Sequence, residues 1–134
     1  MLKKLHHVAV VVKNLDEALP FYRDVLGLTV DFAATLEEFR VKVAMLSIGA
    51  NQIELVEPLS NETRAGRFLE QRGEGLYHFA LETDDINGDA QRLRSKNVEF
   101  LQDVFSAPNG TLECVLHASR GVLVQLIQPG QPGG

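Results

Sequence analysis

The chain has 134 residues, of which 45% are hydrophobic and 23% are charged, and its formal net charge is −5 at pH 7. These values are typical of one soluble globular domain, and the negative charge argues against a general nucleic-acid or anionic-membrane binder. The single cysteine, Cys114, excludes an internal disulfide, and no apolar run reaches the roughly 18 residues that a membrane span needs. The apolar run Val8–Val12 is short and no small-residue cleavage site follows it, so the sequence predicts a cytoplasmic protein.

The first half of the chain predicts a β-α-β-β-β module over residues 3–58. Leu5–Val12 is rich in β-branched residues and is typical of a buried strand. Asn14 predicts the N-cap of a helix over Leu15–Leu26, although Pro20 conflicts with a regular helix because it removes a backbone donor. Three further strands are predicted: Leu28–Ala34, Phe39–Ile48 and Gln52–Glu57.

The second half predicts the same order of elements over residues 75–128, after a linker helix within 60–72. Its predicted elements are a strand at Leu76–Thr83, a helix at Ile86–Lys96 with Asp85 as its cap, and strands at Val98–Val104, Thr111–His117 and Val122–Gln128. Residues 1–128 are therefore expected to form a single domain. The tail at 129–134 is expected to be disordered, since it has nothing to bury.

The two halves repeat their polar residues as well as their elements. His78 repeats the position of His7 at an offset of 71 residues, and Gln125 repeats that of Glu54 at the same offset. In each half this histidine is followed, 47 residues later, by an oxygen-bearing side chain within an apolar run. Burying such groups is costly unless something pairs with them. A metal ion at the junction of the modules would pair all four.

The predicted fold class is α+β. Neither module covers its own sheet, so the paired β-α-β-β-β modules are expected to form a curved, roughly eight-stranded sheet around a metal-binding cavity, with the helices outside. Cys114 is the repeat partner of Val43, which would place it facing the cavity, but the sequence favours the other interpretation of a lone cysteine. This favoured alternative is a small buried hydrophobic residue.

Several segments carry a resemblance to a known family. They are His7–Leu15, Phe21–Tyr22 with Leu26–Leu28, Ile53–Leu59, Phe68–His78 and Gly121–Leu126. These segments are similar to the vicinal oxygen chelate (glyoxalase/bleomycin-resistance/dioxygenase) superfamily and, within it, to the methylmalonyl-CoA epimerases. The segment Glu57–His78 is particularly similar to the epimerases.

The resemblance implies a divalent metal held by His7, Glu54, His78 and Gln125, with Gln125 and Glu54 also as candidate catalytic residues. Two imidazoles with one carboxylate and one amide suit cobalt, manganese, nickel or zinc. The resemblance also implies an acyl-CoA substrate, chelation of two of its oxygens, transfer of an α-proton through a metal-stabilised enolate, and a homodimer.

Two positions depart from the epimerase pattern. Gln125 stands where the epimerases usually have Glu, and Val43 stands where some members have a second base. Two other classes of function therefore stay open. One is another metalloenzyme on the same scaffold, such as a glyoxalase-like lyase or an iron(II) enzyme that activates oxygen. The other is a metal-free module that binds a small molecule.

Overall fold

The computed structural model describes residues 1–119 and 122–130, so most of the predicted disordered tail lies outside the described residues. The described chain falls into two compact units: His7–Tyr77, and Met1–His6 together with the residues from His78 onward. The described strands are β1 (Leu2–Val11), β2 (Thr29–Leu36), β3 (Val41–Ile48), β4 (Asn51–Pro58), β5 (Gly75–Thr83), β6 (Phe100–Ser106), β7 (Leu112–Ser119) and β8 (Val122–Gln128). The α-helices are α1 (Leu15–Pro20), α2 (Arg64–Arg72) and α3 (Ile86–Ser95).

Helix α1 begins at the predicted cap and changes type at the proline. The side chain of Asn14 accepts a hydrogen bond of 2.9 Å from the backbone N–H of Glu17. After Pro20, which has no N–H to donate, the chain continues as a π-helical turn, Phe21–Val25, and Gly27 ends it with φ +80. The predicted extent of this helix is confirmed, but its second half is π-helical.

In the unit His7–Tyr77, strand β3 buries both of its faces. Ala44 and Leu46 pack in one core cluster with Leu15 of α1. Val43 packs in another with Ala65 of α2. Because successive side chains of a strand point to opposite faces, α1 and α2 cover opposite faces of this part of the sheet.

In the other unit, α3 packs on β7 and β8. The side chain of Asp85 accepts a hydrogen bond of 3.1 Å from the backbone N–H of Gly88, as the predicted cap requires. Ile86 then packs in a core cluster with Cys114 of β7 and Leu126 of β8.

A long-range hydrogen bond joins the start of the helix to the end of the last strand in each module. The backbone N–H of Leu15 donates to Glu57 Oε1 at 2.7 Å, and that of Ile86 donates to Gln128 Oε1 at 2.8 Å. Both the donors and the acceptors are related by the 71-residue offset of the sequence repeat. The repeat therefore preserves the attachment of each helix to its sheet.

The eight described strands form one mixed sheet in the order β2-β3-β4-β1-β5-β8-β7-β6. Within each module the first strand pairs in parallel with the last, β1 with β4 and β5 with β8, and the hairpins β3-β4 and β7-β8 are antiparallel. The predicted α+β fold of two β-α-β-β-β modules with an eight-stranded sheet is confirmed.

The paired helix attachments predict a difference between two substitutions at one position. Glu57→Leu should lower the free energy of unfolding by about 1 kcal/mol, because it removes the acceptor of the Leu15 N–H. Glu57→Gln retains a side-chain oxygen and should lose less than half as much. Urea unfolding followed by circular dichroism measures both values, and equal losses would contradict this role of the oxygen.

Candidate metal centre

Parallel pairing of β1 with β4 places two predicted ligands on one face of the sheet. Ala9 pairs with Glu54, and Val11 pairs with Val56 in the same core cluster. Since side chains repeat their direction every second residue, His7 shares the face of Val11, and Glu54 shares that of Val56. His7 is buried, and its Nε2 lies 3.8 Å from Glu54 Oε1.

A third predicted ligand completes a cluster with these two. His78 directly follows Tyr77, the last residue of the unit that contains His7 and Glu54. One ligand atom from each of His7, Glu54 and His78 lies within 4.8 Å of the others. Donor atoms bound to one ion at about 2.0–2.2 Å are at most about 4 Å apart, so small side-chain movements would let one ion contact all three. The nitrogen and oxygen donors fit a borderline divalent metal.

Tyr77 lies beside this cluster in sequence and packs against α2. Its ring meets that of Phe68 edge-on, with centroids 5.2 Å apart. Burial raises the pKa of the Tyr77 hydroxyl, and the neighbouring Arg64 only partly offsets this effect. The hydroxyl is therefore a neutral donor at physiological pH.

Val43 lies on the same face as Glu54 and has no proton acceptor to offer. It pairs with Val56 across β3 and β4, is only 3% exposed, and packs against Val11. An aliphatic side chain at this position contributes packing and no acid-base chemistry.

The fourth predicted ligand, Gln125, lies on β8. It pairs with Ala80 of β5, which is the register of Glu54 and Ala9 repeated at the 71-residue offset. Its Nε2 donates to Glu113 Oε1 at 2.5 Å, while its own Oε1 is buried and has no hydrogen-bond partner within the described part of the chain. That Gln125 binds a metal stays a prediction.

The sequence repeat does not predict Glu113, because the register of the second hairpin differs from that of the first. Val43 pairs with Val56 in β3-β4, and Glu113 pairs with Ile127 in β7-β8. Val56 and Ile127 are 71 residues apart, but Val43 and Glu113 are 70 apart. The cause is a register shift between His117 and Ser119, where β7 advances by two residues while the paired strand β8 advances by one.

The same shift explains why Cys114 does not have the cavity-facing position that the 71-residue repeat alone would give it. This thiol lies under α3 in the core cluster of Ile86, so it is the small buried hydrophobic residue of the alternative prediction, not a cavity-facing group. Glu113 points to the opposite face, the face of Gln125, and burial raises the pKa of its carboxyl. A lone charge within the apolar run Leu112–Leu116 is the one sequence signal that could have drawn attention to it.

Residues 6–115 match the Glyoxalase/Bleomycin resistance protein/Dioxygenase superfamily. The chain belongs to this superfamily. Human mitochondrial methylmalonyl-CoA epimerase is 34% identical over 131 residues, which are 95% of this chain and 74% of the human protein. The ethylmalonyl-CoA/methylmalonyl-CoA epimerase of Cereibacter sphaeroides is 30% identical over 102 residues, which are 75% of this chain and 76% of that protein.

Solved epimerase structures share the fold. A variant of Streptomyces coelicolor methylmalonyl-CoA epimerase in complex with 2-nitronate-propionyl-CoA superposes with a TM-score of 0.89 at 31% sequence identity, covering 98% of this chain and 100% of that one. The predicted similarity to methylmalonyl-CoA epimerases is confirmed, and the chain is an epimerase-like enzyme of this superfamily. Among the described residues, none of the helices has the length and apolarity needed to cross a membrane.

The cluster predicts which histidines bind metal. His7→Ala and His78→Ala should each sharply lower the cobalt or manganese bound per chain, because each removes a nitrogen donor. His6→Ala is the matched control, since His6 precedes His7 on β1 and its side chain points to the other face. Metal analysis of tag-free protein measures the bound ion, with circular dichroism as the check on folding. Wild-type metal content in His7→Ala would refute the assignment.

The position of Cys114 predicts slow thiol chemistry. Burial raises the pKa of this thiol to about 11, so it stays protonated at pH 8. Its reaction with a disulfide reagent at pH 8 should be at least about 100-fold slower in the folded protein than in urea, because only the thiolate reacts. Comparable rates in the two conditions would show that Cys114 is accessible.

Proposed function

We propose that this protein is a metal-dependent isomerase that inverts the α-carbon of a malonyl-type acyl-CoA, with methylmalonyl-CoA as the first substrate to test. The relatives named for this reaction support the substrate class, and one of them is also named for ethylmalonyl-CoA. The observation that carries the proposal is the convergence of His7, Glu54 and His78.

In this proposal His7, Glu54, His78 and Gln125 hold a divalent ion of cobalt, manganese, nickel or zinc. The ion when bound supplies Lewis acidity, which polarises a substrate carbonyl and makes the α-proton more acidic. With Glu54 as the one carboxylate among these four residues, they leave about one positive charge of a dication uncompensated. That balance favours a substrate that carries a negative charge, such as the free carboxylate of a malonyl-type thioester.

The two candidate catalytic residues have different capacities. The carboxylate of Glu54 can accept a proton, whereas the amide of Gln125 cannot, so Gln125 can bind and orient but not serve as a base. Val43 leaves the neighbouring strand without a proton acceptor at that position. We therefore propose that the α-proton leaves to Glu54 or to water and that the returning proton comes from solvent.

A second candidate function rests on the same cluster. Two histidines and one carboxylate are also a ligand set for iron(II) in enzymes that activate oxygen. Substrate-dependent oxygen consumption by the iron-loaded protein would favour this function over the isomerase.

The predicted cytoplasmic location and homodimer stay predictions.

The proposed reaction predicts exchange of the substrate α-proton with solvent. Wild-type protein loaded with cobalt should exchange the α-proton of methylmalonyl-CoA for deuterium in heavy water, because the proton must leave before it returns to the other face. Mass spectrometry of the recovered thioester measures the incorporated deuterium. Exchange should fall by about 100-fold or more when Glu54→Gln removes the acceptor and a charge.

Metal-stripped wild-type protein is the control, and it should exchange at the background rate. Ethylmalonyl-CoA tested in parallel measures how large an α-substituent the site accepts. Protein shown to hold its metal that exchanges neither thioester would rule out the isomerase.

A further inference from the structure

The amide of Gln125 is satisfied on one side only. Its Nε2 donates to Glu113, and its buried Oε1 has no hydrogen-bond partner among the residues described. A buried carbonyl oxygen without a partner costs about 1–3 kcal/mol, so native proteins usually supply one. An oxygen with free lone pairs can be satisfied by a cation or by a donor group of a ligand.

Glu113 determines which end of the Gln125 amide has no hydrogen-bond partner among the described residues. The amide end that faces Glu113 is the NH₂ group, since its Nε2 donates to the Glu113 Oε1, an oxygen that accepts hydrogen bonds. The oxygen of Gln125 then points away from Glu113. This matters for metal binding, because an amide oxygen is a ligand for divalent ions and an amide nitrogen is not.

The neighbours of the two oxygen-bearing residues are complementary. Glu54 has its own negative charge; Met45 pairs with it directly, and its diagonal neighbour on the same face is the aliphatic Val43. Gln125 is neutral; Val115 pairs with it directly, and the equivalent diagonal neighbour is Glu113, to which its Nε2 donates. A negative charge beside the NH₂ group polarises the amide and increases the electron density on its oxygen. In the second module Gln125 thus provides the oxygen and Glu113 provides the charge, whereas in the first module Glu54 provides both.

We propose that Glu113 is a positioning residue, which holds the Gln125 amide with Oε1 presented to a divalent cation and Nε2 turned away from it. The proposal rests on the ligand role of Gln125 in the proposed function. It adds a residue that acts on the metal through its contact with that ligand. Hydrogen-bond partners of metal ligands typically change metal affinity by about 10-fold to 100-fold when they are removed.

Metal affinity without substrate tests this directly. Cobalt(II) or manganese(II) is titrated calorimetrically into tag-free, metal-stripped protein. Glu113→Val, which introduces the residue found at the equivalent Val43, should weaken binding by about 10-fold. Glu113→Gln keeps an acceptor oxygen without the charge and should weaken it less. The matched control Glu99→Gln removes an exposed carboxylate from the same unit and should have no effect.

A double-mutant cycle shows whether Glu113 acts through Gln125. In a Gln125→Ala background, Glu113→Val should change the affinity by less than about 2-fold, because the amide to be positioned is gone. A loss that persists in this background would mean that Glu113 acts on the cation by its charge or as a ligand, and it would overturn the proposal. Wild-type affinity in Glu113→Val would overturn it as well.

A spectroscopic measurement tests the orientation without any metal. In ¹⁵N-labelled metal-free protein, one glutamine side-chain NH₂ proton should be shifted downfield by the short hydrogen bond to a carboxylate. This signal should be absent in Gln125→Ala and should move upfield in Glu113→Gln, which also serves if Glu113→Val fails to fold. An unshifted signal in the wild type would refute the hydrogen bond. If the affinities and this signal behave as expected but no thioester is epimerised, the reaction is wrong and the positioning role stands.

Discussion

Parallel pairing between the first and last strands of each module is the constraint on which the candidate metal centre depends. It places Glu54 beside Ala9, two residues beyond His7, and thereby puts an imidazole and a carboxylate on one face. The same register recurs where Ala80 pairs with Gln125. The candidate ligands are far apart in the sequence, and this pairing brings them close together in each module.

The helix attachments support that constraint. In the first module the side chain of Glu57, near the end of β4, accepts a hydrogen bond from the N–H of Leu15. In the second module the side chain of Gln128, at the end of β8, accepts one from the N–H of Ile86. Each contact joins residues 42 positions apart, so the helix, the first strand and the last strand of a module are held together at one end. A small sheet face is thereby kept in a defined register, as a metal site requires.

Much of the fold and part of the site could be predicted from the sequence, because duplicated polar residues in apolar strands leave a visible offset. The candidate ligands His7 and Glu54 are predicted in this way, whereas the cap at Asn14 is predicted from its residue type ahead of an amphipathic helix. The 71-residue offset does not lead to Glu113, because the register shift between His117 and Ser119 changes the offset to 70 residues in this strand. The sequence indicates a conflict at Pro20 but not the π-helical turn that follows it, because packing decides how a helix accommodates a proline.

The register shift in β7 also bears on how duplicated domains diverge. Because side chains alternate along a strand, one extra residue near a hairpin exchanges the two faces of everything beyond it. In β7 the exchange puts a thiol under the helix and a carboxylate beside Gln125, while the ligand strands keep their register. A single-codon insertion in one half of a duplicated domain can thus bring a new side chain to a site in one step.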